Sequence, residues 1–112
     1  MAKLECTVRG TLSELIRVIH EKLLNGSATA TYEDGSDFTL GNALCAVRVY
    51  ERYSAMGGNR VSLNITLFGG DGEYRLSAIT SGGSQAMLFK INTFGEEAFL
   101  EKLEEAVRPF RV

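Results

Sequence analysis

NRVSLNITLFGGDGEYRLSAITSG, residues 59–82, decides the fold. Val61, Leu63, Ile65 and Leu67 alternate with polar residues before the glycines; Tyr74, Leu76 and Ala78 do so after them. Period-two alternation marks a strand with one buried face. Gly69, Gly70 and Gly72 between the runs supply a tight turn, so the stretch is a β-hairpin. Glycine pairs recur on either side, at Gly57-Gly58 and Gly82-Gly83. The second half therefore reads as an antiparallel meander. Its strands share alternation but no residue signature, which argues against a repeat architecture.

Parity sets the expected registers. Placing Val61, Leu63, Ile65 and Leu67 on one face with Val47 and Val49 requires an odd loop on Met56-Gly57-Gly58 and pairs Val49 with Ile65. An even loop around Gly70-Asp71 pairs Ile65 with Leu76 and Leu67 with Tyr74. A type II′ turn at Gly83-Ser84 pairs Thr80 with Met87 and Ala78 with Phe89, and puts Met87, Phe89 and Ile91 on the inner face. Upstream, Asp34-Gly35-Ser36 reads as a hairpin turn that pairs Tyr32 with Phe38 and Ala30 with Leu40, and Gly41 as a bulge. On this scheme Ala43, Cys45, Val47, Val49 and Tyr53 face inward. Leu44, Arg48, Tyr50 and Arg52 face outward.

The ends are simpler. Residues 3–9 alternate as a strand, with Leu4, Cys6 and Val8 on one side. Thr11 followed by Glu14 is a capping box, and Leu12, Leu15, Ile16, Ile19 and Leu23 make a helical stripe over about residues 12–24. Gly26 is the expected left-handed residue after it. A second helix spans about Glu96 to Arg108 on the stripe Phe99, Leu100, Leu103, Ala106 and Val107, and Pro109 stops it.

The expectation is a single α+β domain over residues 1–112. It is an antiparallel meander of five to six strands plus a short N-terminal strand, with one face covered by an N-terminal and a C-terminal helix. In element order it resembles the helix-grip arrangement of START-like and Bet v1-like domains, a resemblance that implies a cavity. Ser54-Ala55-Met56-Gly57-Gly58-Asn59-Arg60 with Leu67-Phe68-Gly69-Gly70-Asp71-Gly72 also resembles uncharacterised small bacterial proteins of the domain-of-unknown-function type, which implies no activity.

Composition narrows the function classes. A formal net charge of −2 lacks the basic excess of a nucleic-acid binder. No apolar run approaches the roughly 20 residues of a membrane span, and the start lacks a secretory pattern, so a cytoplasmic protein is expected. Cys6 and Cys45 read as small buried thiols; with one histidine they make no zinc motif, and neither metal nor cofactor is expected. His20 reads as a rim residue of the first helix. Gly69-Gly70-Asp71-Gly72-Glu73 lacks the Gly-Lys-Ser/Thr ending of a phosphate loop and the carboxylate spacing of a calcium loop. Glu33, Asp34 and Asp37 could hold a weak cation but read more simply as turn residues.

The outer sheet face carries the candidate site: Arg48, Tyr50, Arg52, Phe68, Arg75 and Ile79, with Leu88 beside them. Arginines beside an aromatic ring suit an anionic ligand or a partner's carboxylates, and outward apolar residues suit a second copy of the chain. No nucleophile–base pair or paired carboxylates stand out. The expected function is a non-enzymatic binding or interaction protein that self-associates through this face. The alternative is a carrier of a small apolar ligand between sheet and helices.

Overall fold

The computed structural model describes residues 1–26, 29–54, 59–82 and 89–112, with Ser54, Asn59 and residues 89–95 described for the backbone alone. The elements are β1 (Lys3–Arg9), α1 (Leu12–Asn25), β2 (Thr31–Leu40), β3 (Ala43–Ser54), β4 (Asn59–Gly70), β5 (Glu73–Gly82) and α2 (Phe89–Val107), with a final 3₁₀ turn at Arg108–Phe110. The strands form one antiparallel sheet in the order β1-β5-β4-β3-β2. Strands β2 to β5 are the meander, and β1 adds itself beyond β5. Both helices lie on one face, so the α+β class and its two-layer arrangement are as expected.

Helix α1 starts where its cap dictates. Thr11 Oγ1 accepts from the Glu14 N–H at 3.2 Å. Leu15, Ile19 and Leu23 are its buried stripe. Gly26 ends the helix in a right-handed conformation, φ −84°, not the left-handed one expected. Its N–H donates to the Lys22 carbonyl at 2.9 Å, which satisfies that carbonyl without a positive φ.

The central hairpin turns on Asp71-Gly72. Both residues have positive φ, 55° and 80°, as a two-residue type I′ turn requires. Gly70 therefore pairs with Glu73, Leu67 with Leu76 and Ile65 with Ala78. The turn sits one residue later than expected, so the register moves by two and every side chain keeps its face. Val61, Leu63, Ile65, Leu67, Tyr74, Leu76 and Ala78 are all buried under the helices.

Strand β3 departs from the expected parity. Arg48, not Val49, pairs with Ile65; Tyr50 pairs with Leu63 and Arg52 with Val61. The Ser54–Asn59 pair leaves four residues to connect the strands, an even number. The Met56-Gly57-Gly58 turn itself lies outside the described residues. A one-residue slip moves every side chain to the opposite face. Leu44, Ala46, Arg48, Tyr50 and Arg52 thus face the helices, while Cys45, Val47 and Val49 face away.

Strand β2 is continuous through Asp34-Gly35-Ser36, so the Tyr32–Phe38 and Ala30–Leu40 pairs do not form. The chain reverses instead at Gly41-Asn42, where Gly41 has φ +60° and Leu40 pairs with Ala43. A bulge falls between Tyr32 and Asp34.

Helix α2 begins at Phe89, about two turns earlier than expected, so Phe89 and Ile91 are helical rather than strand residues. The Gly83-Ser84 turn, Met87 and Leu88 lie outside the described residues. The physical reason is the sheet edge. β1 already occupies the far side of β5, with Cys6 opposite Leu76, so a strand turning back from β5 would find that edge taken.

The two edges of the sheet differ. Val8 bridges to Arg111, and the Val112 N–H donates to the Thr7 carbonyl at 3.0 Å, so the C-terminal segment covers β1. Strand β2 has no neighbour on its outer side among the described residues, and it carries Glu33, Asp34 and Asp37. Cys6 and Cys45 are free and buried on opposite faces of the sheet.

Candidate functional site

Helix α2 packs mainly on β5 and β4 and less on β1 and β3, and α1 borders the inner face of β2 and β3. Between them runs an open groove of about 590 Å³. Leu12, Ser13, Ile16, Arg17, His20 and Glu21 line it from α1, Asp37 from β2 and Arg48 from β3.

Three rings meet at one side of this groove. His20, Tyr32 and Tyr50 come from α1, β2 and β3, with centroids 5.5–5.8 Å apart. The two contacts of Tyr32 are edge-to-face, a favoured geometry worth about 0.5–1.5 kcal/mol per pair. Tyr50 is fully buried, and its hydroxyl shares a 2.9 Å hydrogen bond with His20 Nδ1. The phenol donates when Nδ1 is unprotonated and accepts when Nδ1 carries the proton. Burial pushes the Tyr50 phenol up to about 12, against the pull of Arg48.

The bulge in β2 places Tyr32 here. Phe38, Ser36 and Asp34 lie on the outer face; continued alternation would put Tyr32 there too. The extra residue, Glu33, returns Tyr32 to the inner face, opposite Tyr50. Gly35 makes the space for it. A Cβ on Gly35 would run into Tyr32 Oη and lie 2.9 Å from Arg48 Cδ.

Arg48 forms the polar end. Its Nη1 donates to Asp37 Oδ1 at 2.6 Å and to the Val47 carbonyl at 2.8 Å, and its Nη2 donates to Asp37 Oδ2 at 3.1 Å. This is a two-pronged arginine–carboxylate pair. It holds the Asp37 carboxyl below the usual carboxylate range. Further along α1, Arg17 bonds to Glu21 at 3.2 Å.

The six residues expected on one outer surface are divided between two. Arg48, Tyr50 and Arg52 are on the inner face; Phe68, Arg75 and Ile79 are on the outer. Arg52 serves the core, its guanidinium 5.8 Å from the centroid of the buried Phe99 ring. Arg75 donates to Thr7 Oγ1 at 3.1 Å beside Phe68. Glu33, Asp34 and Asp37 do not converge: Thr31 donates to Glu33, the Gly35 N–H donates to Asp34, and Asp37 serves Arg48. Among the described residues no group of three His, Cys, Asp or Glu could hold a metal, and no helix is long and apolar enough to cross a membrane.

Sequence patterning hid the His20–Tyr50 pair, because both parities of β3 are apolar enough to be inner. Gly41-Asn42, a two-residue hairpin signal, would have kept residues 31–40 in a single strand.

No curated protein matches the chain. Among solved structures it is similar to the crystal structure of TTHA0849 from Thermus thermophilus, at 10% identity and TM-score 0.32, over 96% of this chain and 97% of that one. Residues 1–111 match the model of a family of unknown function, DUF6054, and the chain belongs to that family.

Proposed function

We propose that the protein is a non-enzymatic binding protein and that the groove between α1 and the β2–β3 inner face takes a small amphipathic molecule. One observation carries this. An arginine with its side chain only 17% exposed lies beside the apolar side chains of Leu12 and Ile16, in a groove within the size range of small-molecule sites. A shielded guanidinium costs desolvation, and its one carboxylate partner, Asp37, is 60% exposed and offsets that cost weakly. A binding role accounts for an arginine in this position. Titration with 1-hexanol, followed by NMR, tests the reading. Resonances of Leu12, Ile16, His20 and Arg48 are expected to move along one saturation curve while Phe68 and Ile79 stay still. Movement confined to the outer face would overturn it.

The outer face supports a second reading, self-association. Phe38, Leu40, Phe68 and Ile79 are 55%, 82%, 52% and 43% exposed there, and Phe38, Cys45 and Phe68 form one cross-strand row. Apolar residues grouped in this way mark interfaces. Light scattering at millimolar concentration is expected to give about twice the 12.2 kDa chain mass, returning to one chain in Phe68→Lys. A strict monomer in the unaltered protein would remove this reading and leave the groove untouched.

A further inference from the structure

Resting on the groove as a binding site, we infer that its ligand is a carboxylate with an apolar tail, and that Asp37 holds the place on Arg48 that the ligand's carboxylate takes. The two members of the ion pair are anchored very differently. The Arg48 side chain is 17% exposed, runs along the inner face opposite Ile65, and is tied to the Val47 carbonyl as well as to Asp37. The slot left by Gly35 accommodates it. Asp37 is 60% exposed, on the edge strand that nothing flanks on its outer side among the described residues. Its side chain can rotate into water at the cost of one ion pair, and exposed carboxylates regain full hydration there.

The guanidinium would stay where it is. Its fork matches a planar carboxylate in shape and in charge, two parallel N–H···O bonds to a single negative group. Replacing one carboxylate by another leaves the hydrogen-bond count of Arg48 unchanged. The exchange is therefore decided by what else the ligand brings. An aliphatic tail would lie against Leu12 and Ile16 and bury apolar surface that Asp37 cannot cover. Asp37 competes from within the chain, so it sets a threshold: a short carboxylate such as acetate, with no tail to bury, does not displace it. The other carboxylate of the groove, Glu21, is already matched by Arg17. A ligand cation would thus meet two arginines whose partners are taken.

Octanoate and its neutral counterpart octanamide separate the head group from the tail. In NMR titrations octanoate is expected to bind about tenfold or more tightly than octanamide, the worth of a charge-assisted pair over a neutral one. Asp37→Asn keeps the shape and removes the competing charge, so octanoate affinity should rise about tenfold. Asp37 is at the surface, so this variant folds. Arg48→Gln should abolish the preference for octanoate, and Arg48→Lys, which keeps the charge without the fork, should reduce it. Octanoate affinity unchanged or weakened in Asp37→Asn overturns the inference. Equal binding of octanoate and octanamide, with Leu12 and Ile16 shifted by both, overturns the ligand class and leaves the groove standing. No shift of groove resonances with either compound overturns both.

Discussion

Tyr50→Ala is expected to lower the unfolding free energy by about 3–5 kcal/mol, the cost of truncating a buried aromatic side chain. Tyr50 is fully buried and packs against the Tyr32 and His20 rings. A chain of this size has about 5–15 kcal/mol in total, so the variant sits near the edge of folding. Tyr50→Phe isolates the hydroxyl. It keeps the ring and loses one hydrogen bond to a half-buried histidine, which costs about 1 kcal/mol. The pH dependence distinguishes the two effects. The folded phenol is raised to about 12, above its ordinary value of 10, so the folded state holds the proton more firmly than the unfolded chain. The associated stability is complete below pH about 10 and disappears as the pH rises through about 12. Two pH units correspond to about 2–3 kcal/mol. Urea unfolding between pH 8 and 12 should show this alkaline decline in the unaltered protein and a shallower one in Tyr50→Phe. Identical slopes would mean that the Tyr50 hydroxyl is open to water.

Ile65→Lys and Val49→Lys should behave oppositely. Ile65 is 1% exposed, and its neighbour on β3 is Arg48. A lysine there loses apolar burial worth about 2–5 kcal/mol and places an unpaired ammonium beside a guanidinium, with a further penalty of several kcal/mol. The variant is expected to be unfolded by circular dichroism at room temperature. Val49 pairs with Asn64 on the face away from the helices, where lysine can reach water along its own stem. Its replacement should change stability by less than about 1 kcal/mol. If Val49→Lys unfolds the protein as well, then β3 has the other parity, and the groove described above does not contain Arg48.

That contrast also shows where sequence patterning succeeds and where it misleads. Strand β1 and helix α1 were legible because a single stripe of each is apolar and Thr11 marks the boundary. Strands β4 and β5 were legible because Leu63, Ile65, Leu67 and Leu76 alternate with polar or charged residues. Strand β3 offers no such contrast. Ala43, Cys45, Val47 and Val49 are the more apolar set, yet the set that faces the helices contains Arg48, Tyr50 and Arg52. A strand that turns its polar side chains inward and its valines outward breaks the hydrophobic rule twice, and both breaks fall at the candidate surfaces. The groove on one side and the apolar sheet face on the other are therefore where the pattern fails. Helix α2 starts earlier than its apolar pattern implies, for a non-local reason. Phe89 and Ile91 alternate as a strand would, but the edge they would need is taken by residues from the opposite end of the sequence.

The same edge has a kinetic meaning. Each hairpin of the meander closes over a few residues, and such loops form quickly. β1 finds β5 only across a loop of about 70 residues, as Cys6 and Leu76 must meet. Loop-closure entropy makes that encounter the late one. Until it happens, β5 offers an unpaired row of N–H and C=O groups. In the cell the newly made meander is consequently exposed to strand exchange with its neighbours until β1 docks beside β5.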